Sequence, residues 1–309
     1  MNQAPESIIM IRPDSFGFNP ATAQSNTFQQ ADNINSHSEI SKSAQQEFDH
    51  LVNILLKSKI EVIVFDDQKD PTLLDAVFPN NWVSFHHDGT VILYPMLAEN
   101  RRKERRQDIL LDLQNKHSFQ IDRILDYTNF EVQGRFLEGT GSIVFDYKNK
   151  IAYANASPRT DEMVLDKLCN DLGFQKFLFN AVDSNDRAIY HANVMMCIGD
   201  EFVVICLDTF PDKAAKEKLL LSFERTGHEV VNISYDQLTQ FAGNMIEVLN
   251  SNKEQHLIMS QSAYDSLNKE QRDRLGRYAE ILYAPIPVIE KYGGGSVRCM
   301  IAGNFLPKA

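Results

Sequence analysis

Residues 82–94 read Trp82-Val83-Ser84-Phe85-His86-His87-Asp88-Gly89-Thr90-Val91-Ile92-Leu93-Tyr94. Two β-rich runs flank His87-Asp88-Gly89, and Asp-Gly between such runs is a strong hairpin signal. A charged amphipathic segment, Glu99 to Leu113, comes next, followed by the apolar run Ile121 to Leu125. The stretch therefore reads as strand, tight turn, strand, helix, strand.

The same plan recurs. Ser142 to Phe145 and Ile151 to Tyr153 flank the turn Tyr147-Lys148-Asn149-Lys150. A helix over Asp161 to Leu172 follows, stopped by Gly173, and Lys176 to Phe179 closes the unit. Val194 to Ile198 pairs with Phe202 to Cys206 across Gly199-Asp200, before a helix over Asp212 to Thr226 and the run Glu229 to Ile233. Met245 to Leu249 and His256 to Met259 begin the next copy, with a helix over Ala263 to Arg277 and a strand over Glu280 to Tyr283. The N-terminal part supplies Ile8 to Ile11, a helix from Ser41 to Lys59, and Ile60 to Phe65. Its missing hairpin strand is expected from Cys299-Met300-Ile301-Ala302, which would pair the two ends of the chain. Units of about sixty residues cannot each bury a core, so they must share one. These readings predict a five-bladed α/β propeller of ββαβ units around a central channel, with one domain over residues 1–309. A doubly wound sheet is the alternative, but the many hairpins oppose an all-parallel arrangement.

The chain has 309 residues, 43% of them hydrophobic, and a formal net charge of −11. That length allows a sizeable core, and the acidity opposes a nucleic-acid or anionic-membrane partner. The basic run Arg101-Arg102-Lys103-Glu104-Arg105-Arg106 is read as a solvated helix face. The first residues lack a basic stretch leading into an apolar one, and no apolar run approaches a membrane span. Cys169, Cys197, Cys206 and Cys299 form no CxxC pair and suit neither a zinc site nor a disulfide framework. His86-His87 has no ligand partner at metal spacing. A soluble cytoplasmic protein is expected.

Polar residues recur where one unit hands over to the next: Asn80-Asn81, Glu138-Gly139-Thr140-Gly141, His191-Ala192-Asn193, Gly243-Asn244, and Gly293-Gly294-Gly295 running toward Cys299. If the units are related by rotation, these segments converge at one end of the channel. A free thiol has a pKa of about 8.5 and is mostly protonated at neutral pH. A nearby histidine lowers that pKa and shuttles protons. Cys299 is therefore the candidate nucleophile, His191 its acid/base partner, and Glu138 the group that orients His191.

On Glu138-Gly139-Thr140-Gly141, Ser157-Pro158-Arg159-Thr160, His191-Ala192-Asn193, Gly243-Asn244 and the Gly-rich turn into Cys299, the chain resembles the guanidine-modifying (pentein) superfamily. That superfamily includes arginine deiminases, dimethylarginine hydrolases, amidinotransferases and succinylarginine dihydrolases. Met10-Ile11-Arg12-Pro13 and the segment Phe78 to Ser84 resemble its citrulline-utilisation branch, also called amidinotransferase-like.

The resemblance implies that Cys299 forms a covalent intermediate with a guanidino or ureido carbon, that His191 moves the protons, and that Arg159 holds the substrate carboxylate. Arginine deiminases carry aspartates where this chain has Asn81 and Asn193, with Asn80 and Asn244 as further binding candidates. A guanidinium cation facing two neutral amides is left unpaired, whereas a ureido group matches an amide's donor and acceptor. The expected reaction is citrulline to ornithine, carbon dioxide and ammonia. The alternatives are arginine deiminase, succinylarginine-dihydrolase or amidinotransferase activity. A non-catalytic binding protein of the same fold lacks the Cys/His/Glu set seen here. Neither metal nor organic cofactor is expected, because thiolate, imidazole and water suffice. The expected partner is a small amino-acid substrate, and a homo-oligomer is compatible with the sequence.

Overall fold

In the computed structural model, residues 1–31, 34–70 and 72–308 are described. Five three-stranded sheets form the blades. The first contains β1 (Ser7–Arg12) and β2 (Glu61–Asp66). The next three are β3 (Val83–Phe85), β4 (Thr90–Leu93) and β5 (Arg123–Asp126); β6 (Ile143–Asp146), β7 (Ile151–Asn155) and β8 (Gln175–Phe179); and β9 (Met196–Ile198), β10 (Phe202–Ile205) and β11 (Glu229–Asn232). The fifth is β12 (Ile246–Leu249), β13 (Gln255–Ser260) and β14 (Glu280–Ala284), and β15 (Ala302–Asn304) returns to β1.

Every blade has an inner strand antiparallel to the middle one and an outer strand parallel to it. In the second blade Ser84 faces Ile92, while Val91 pairs with Ile124 in parallel register. Ile8 opposite Gly303 joins the two ends of the chain, as the repeat requires. The architecture is the α/β propeller expected from the sequence. Inner and middle strands are buried along nearly their whole length, whereas β5 leaves Arg123, Ile124 and Asp126 exposed. Outer helices cover the blades with one apolar face. His37–Lys57 buries Ile40, Ala44, Phe48, Leu51 and Leu55, and Glu162–Leu172 buries Val164, Leu165, Leu168 and Cys169. Asp161 caps the latter helix and Gly173, with φ of 70°, ends it.

Several boundaries differ from the sequence reading. The expected helix over Glu99 to Leu113 is a 3₁₀ turn, Asn100–Glu104, and a separate helix, Gln107–Asn115, divided where Arg105 is extended. The helix expected over Ala263 to Arg277 is two, Gln261–Ser266 and Lys269–Leu275, because Asn268 opens a new capping box with Gln271. Cys299 lies in a turn over residues 297–300, before β15 and not within it. Among the described residues, no helix is long and apolar enough to cross a membrane.

Candidate active site

Each inner strand is preceded by a tight turn or a single helical turn: Pro79–Asn81, Gly139–Ser142, Ala192–Met195, and the turns at 241–243 and 297–300. Asn81, Gly141, Asn193, Asn244 and Cys299 each stand two or three residues before an inner strand. The propeller thus gathers chemically distinct residues at one end of its axis.

A narrow pocket is lined by Cys299, His191, Asn81, Arg159, Arg101 and Asp75, with the glycine run and Tyr190 along its wall. Cys299 is buried at 4% exposure. Two amides donate to its sulfur, Asn244 Nδ2 at 3.3 Å and Asn193 Nδ2 at 3.4 Å. Asn193 also lines the channel below the pocket, so its amide meets the sulfur from the channel side. Asn244 further accepts from the backbone N–H of Arg298 at 3.0 Å through its Oδ1.

His191 and Glu138 are both buried, and His191 Nε2 lies 2.8 Å from Glu138 Oε2. Burial would raise the Glu138 carboxyl, but Arg159, the His191 bond and Arg101 together hold it well below the usual carboxylate range. An ionised carboxylate only accepts, so Nε2 carries the proton and Nδ1 is the basic nitrogen. Burial pushes His191 down to about 4 against the pull of Glu138, so the resting imidazole is neutral at pH 7. A Cβ on Gly141 would collide with Asn81 Nδ2 and lie 2.7 Å from His191 Nδ1. Glycine at this position lets the His191 imidazole and the Asn81 amide share one corner of the pocket.

The glycine run is held by several groups. Gly294, at φ of +60°, caps the helix Pro287–Gly293. Its carbonyl accepts from Tyr190 Oη at 2.6 Å and from Asn26 Nδ2 at 3.2 Å. Ser296 Oγ donates to the buried Glu290 at 2.7 Å.

Arg159 is buried, with its guanidinium 5.1 Å from the Tyr190 ring centre. It donates to Glu138 at 3.2 Å, to Ser25 Oγ at 2.7 Å and to the Thr22 carbonyl at 3.1 Å. Asn80 is fully buried with both amide atoms unpartnered, and it does not line the pocket.

The sequence reading missed Arg101 and Asp75. Arg101 is 2% exposed, which corrects the solvated-face reading of the basic run. Its Nη2 donates to Glu104 at 2.9 Å and its Nη1 to Asn81 Oδ1 at 2.8 Å. The Arg–Glu spacing of three residues was the available signal. Asp75 is 2% exposed; Asn19 Nδ2 donates to its Oδ2 at 2.7 Å, while Oδ1 has no partner. Asp66 and Asp67, at the end of β2, do not line the pocket. Among the described residues, no group of three or more His, Cys, Asp or Glu side chains could hold a metal ion.

Comparison with known proteins identifies the family and the fold. The family model for N,N-dimethylarginine dimethylhydrolase, eukaryotic, matches residues 12–306. No curated protein matches the chain. The N-terminal domain of ArgZ, an arginine dihydrolase of the ornithine–ammonia cycle in cyanobacteria, superposes with a TM-score of 0.72 at 16% identity, covering 97% of this chain and 99% of that domain. AgrE, in its complex with ornithine and NAD+, gives 0.73 at 17% identity, covering 98% of this chain and 40% of AgrE. A dimethylarginine dimethylaminohydrolase adduct with S-methyl-L-thiocitrulline gives 0.64 at 12% identity over 96% of this chain and 99% of that one. These likenesses establish the five-bladed pentein fold. With the family match spanning nearly the whole chain, the protein belongs to the N,N-dimethylarginine dimethylhydrolase family of the pentein superfamily, cysteine-dependent guanidino-modifying hydrolases that cut carbon–nitrogen bonds other than peptide bonds.

Proposed function

We propose that the chain acts as one catalytic domain that hydrolyses citrulline to ornithine, carbon dioxide and ammonia. Cys299 is the nucleophile. His191 Nδ1 takes the thiol proton, and the two amides at Sγ hold the sulfur in position. The thiolate attacks the ureido carbon, and an amine leaves with the proton from His191. A thiocarbamate remains on sulfur. His191 then activates water, which releases carbamate, and this divides into carbon dioxide and the second amine. Glu138 orients the imidazole and stabilises its charged form.

The observation that carries the substrate assignment is Asn81. Its Oδ1 is taken by Arg101, and its Nδ2 is buried without a partner beside the base. A lone donor suits the ureido carbonyl oxygen. A guanidinium offers only donors and finds no acceptor there. Asn193 gives its amide to the sulfur, so the amide argument rests on Asn81. At the amino-acid end, Asp75 Oδ1 is an acceptor for the α-ammonium group, and Arg159 meets the carboxylate by exchanging its bond to Ser25. Asn244 supports the turns around this pocket through the Asn193 carbonyl and the Arg298 N–H, and the Asn80 carbonyl accepts from Thr140 Oγ1.

A second reading, hydrolysis of arginine or dimethylarginine, rests on the same Asp75, whose free oxygen would instead face a cation. Purified protein offered citrulline, arginine and dimethylarginine in parallel separates the two. Ornithine from citrulline with both guanidines untouched is expected, and appreciable turnover of either guanidine would reject the citrulline assignment.

A further inference from the structure

All five inner strands contribute to a cavity that continues along the axis from the turns of the site. Arg298, the residue before Cys299, lines it with Gln3, Tyr147, Asn193, Glu247 and Phe305. Arg298 Nη1 donates to the Ile301 carbonyl at 2.7 Å. Its Nε and Nη2 have no partner among the described residues, and no described carboxylate lies within ion-pair reach of it. Those two nitrogens form one edge of the planar guanidinium, the edge that matches the two oxygens of a carboxylate. Arg298 is only partly buried, but a cation lining a cavity without a counter-charge is unfavourable, and a bound anion would relieve it. Burial indeed pulls Arg298 below its ordinary pKa.

The same wall offers acceptors. Glu247 is 4% exposed; its Oε2 accepts from the Asp200 backbone N–H at 2.7 Å, and its Oε1 is buried without a partner. Asn193, 1% exposed, carries an unpartnered Oδ1. A cation with a free two-donor edge and two unpartnered acceptors, on residues that line one cavity, match the two ends of a zwitterion.

We propose that the axial cavity is a second binding site, separate from the Cys299 pocket, for a small amino acid. Its carboxylate is gripped by the Nε/Nη2 edge of Arg298, and its ammonium group meets Glu247 Oε1 and Asn193 Oδ1. The two sites share structure. Arg298 N–H donates to Asn244 Oδ1, Asn244 Nδ2 donates to Cys299 Sγ, and Asn193 Nδ2 reaches the same sulfur. Occupancy of the cavity therefore alters the two amides that polarise the thiol.

Glycine is the probe, titrated calorimetrically into the full chain. Saturable binding with a Kd on the order of millimolar is expected. It weakens about tenfold or more in Arg298→Met and at least about threefold in Arg298→Lys, which keeps the charge without the fork. It stays unchanged in Arg159→Lys, which alters only the Cys299 pocket. Methylamine, which has no carboxylate, leaves no saturable heat. The lysine variant carries the test if the methionine variant does not fold. No saturable glycine binding, binding that both Arg298 variants retain, or binding lost only in Arg159→Lys would each overturn the proposal.

Discussion

Replacing Glu138 with glutamine keeps the side chain's shape and removes its charge. Glu138 Oε2 accepts from His191 at 2.8 Å and from Arg159 at 3.2 Å, and Oε1 accepts from the Leu97 N–H at 3.1 Å. The backbone bond survives in an amide, because glutamine keeps one carbonyl oxygen. The charge that favours the imidazolium does not. A hydrogen bond to a charged group contributes about 1.5–3 kcal/mol, so losing it as the imidazolium forms slows turnover about 10- to 150-fold. Glu138 works against the burial that holds His191 near 4, so glutamine moves the acid limb of kcat/KM to lower pH. Arg159 also loses its carboxylate partner in a buried setting, which costs about 3–5 kcal/mol of stability. Steady-state turnover against pH, with denaturant unfolding of the same preparations, measures all three effects. A Glu138→Gln protein that turns over within twofold of the wild type, with an unmoved acid limb, would refute the pairing of Glu138 with the catalytic base.

Other consequences follow from neighbouring contacts. Arg101→Met strands Glu104 and Asp75 without their cation and lowers unfolding free energy by about 3–5 kcal/mol; adding Glu104→Leu restores part of it in denaturant melts. Gly141→Ala pushes a methyl group against Asn81 and His191, so it slows turnover about 100-fold while moving the melting temperature little by comparison. Burial lowers His191 from 6.5 to about 4, so between those values the unfolded chain binds more protons than the folded one. Stability therefore rises from pH 4 toward 6.5, by about 3 kcal/mol from this residue, and His191→Asn flattens that slope in pH-dependent unfolding.

The propeller was legible because four of the five blades begin with a hairpin, and a hairpin needs turn residues that a sequence displays: Asp88-Gly89, Gly199-Asp200, Tyr147 to Lys150. The convergence of Asn81, His191, Asn244 and Cys299 followed from the repeat, since equivalent positions of a closed ring must meet near its axis. For Arg101, only the spacing to Glu104 hinted at the buried pair. Its periodicity matches an exposed helix, and only tertiary packing against Asn81 and Glu104 draws it inside. Asp75 lies in an irregular stretch before β3, where no period reports burial. Thr22, Ser25 and Asn26 come from the long N-terminal connection, whose packing over Arg159 and the glycine run depends on contacts more than 130 residues away in sequence. Cys299 was read as part of a strand because the apolar run after it has β character; the preceding turn instead places it level with its counterparts in the other blades.

The proposed covalent step at Cys299 is tested most directly by quenching the wild-type protein in acid after adding citrulline and weighing the peptide that carries Cys299. A citrulline-derived adduct on that peptide is expected, absent when arginine replaces citrulline and absent in Cys299→Ala, which is expected to fold and to be inactive. Turnover that persists in Cys299→Ala, or an adduct formed from arginine and not from citrulline, would contradict the account.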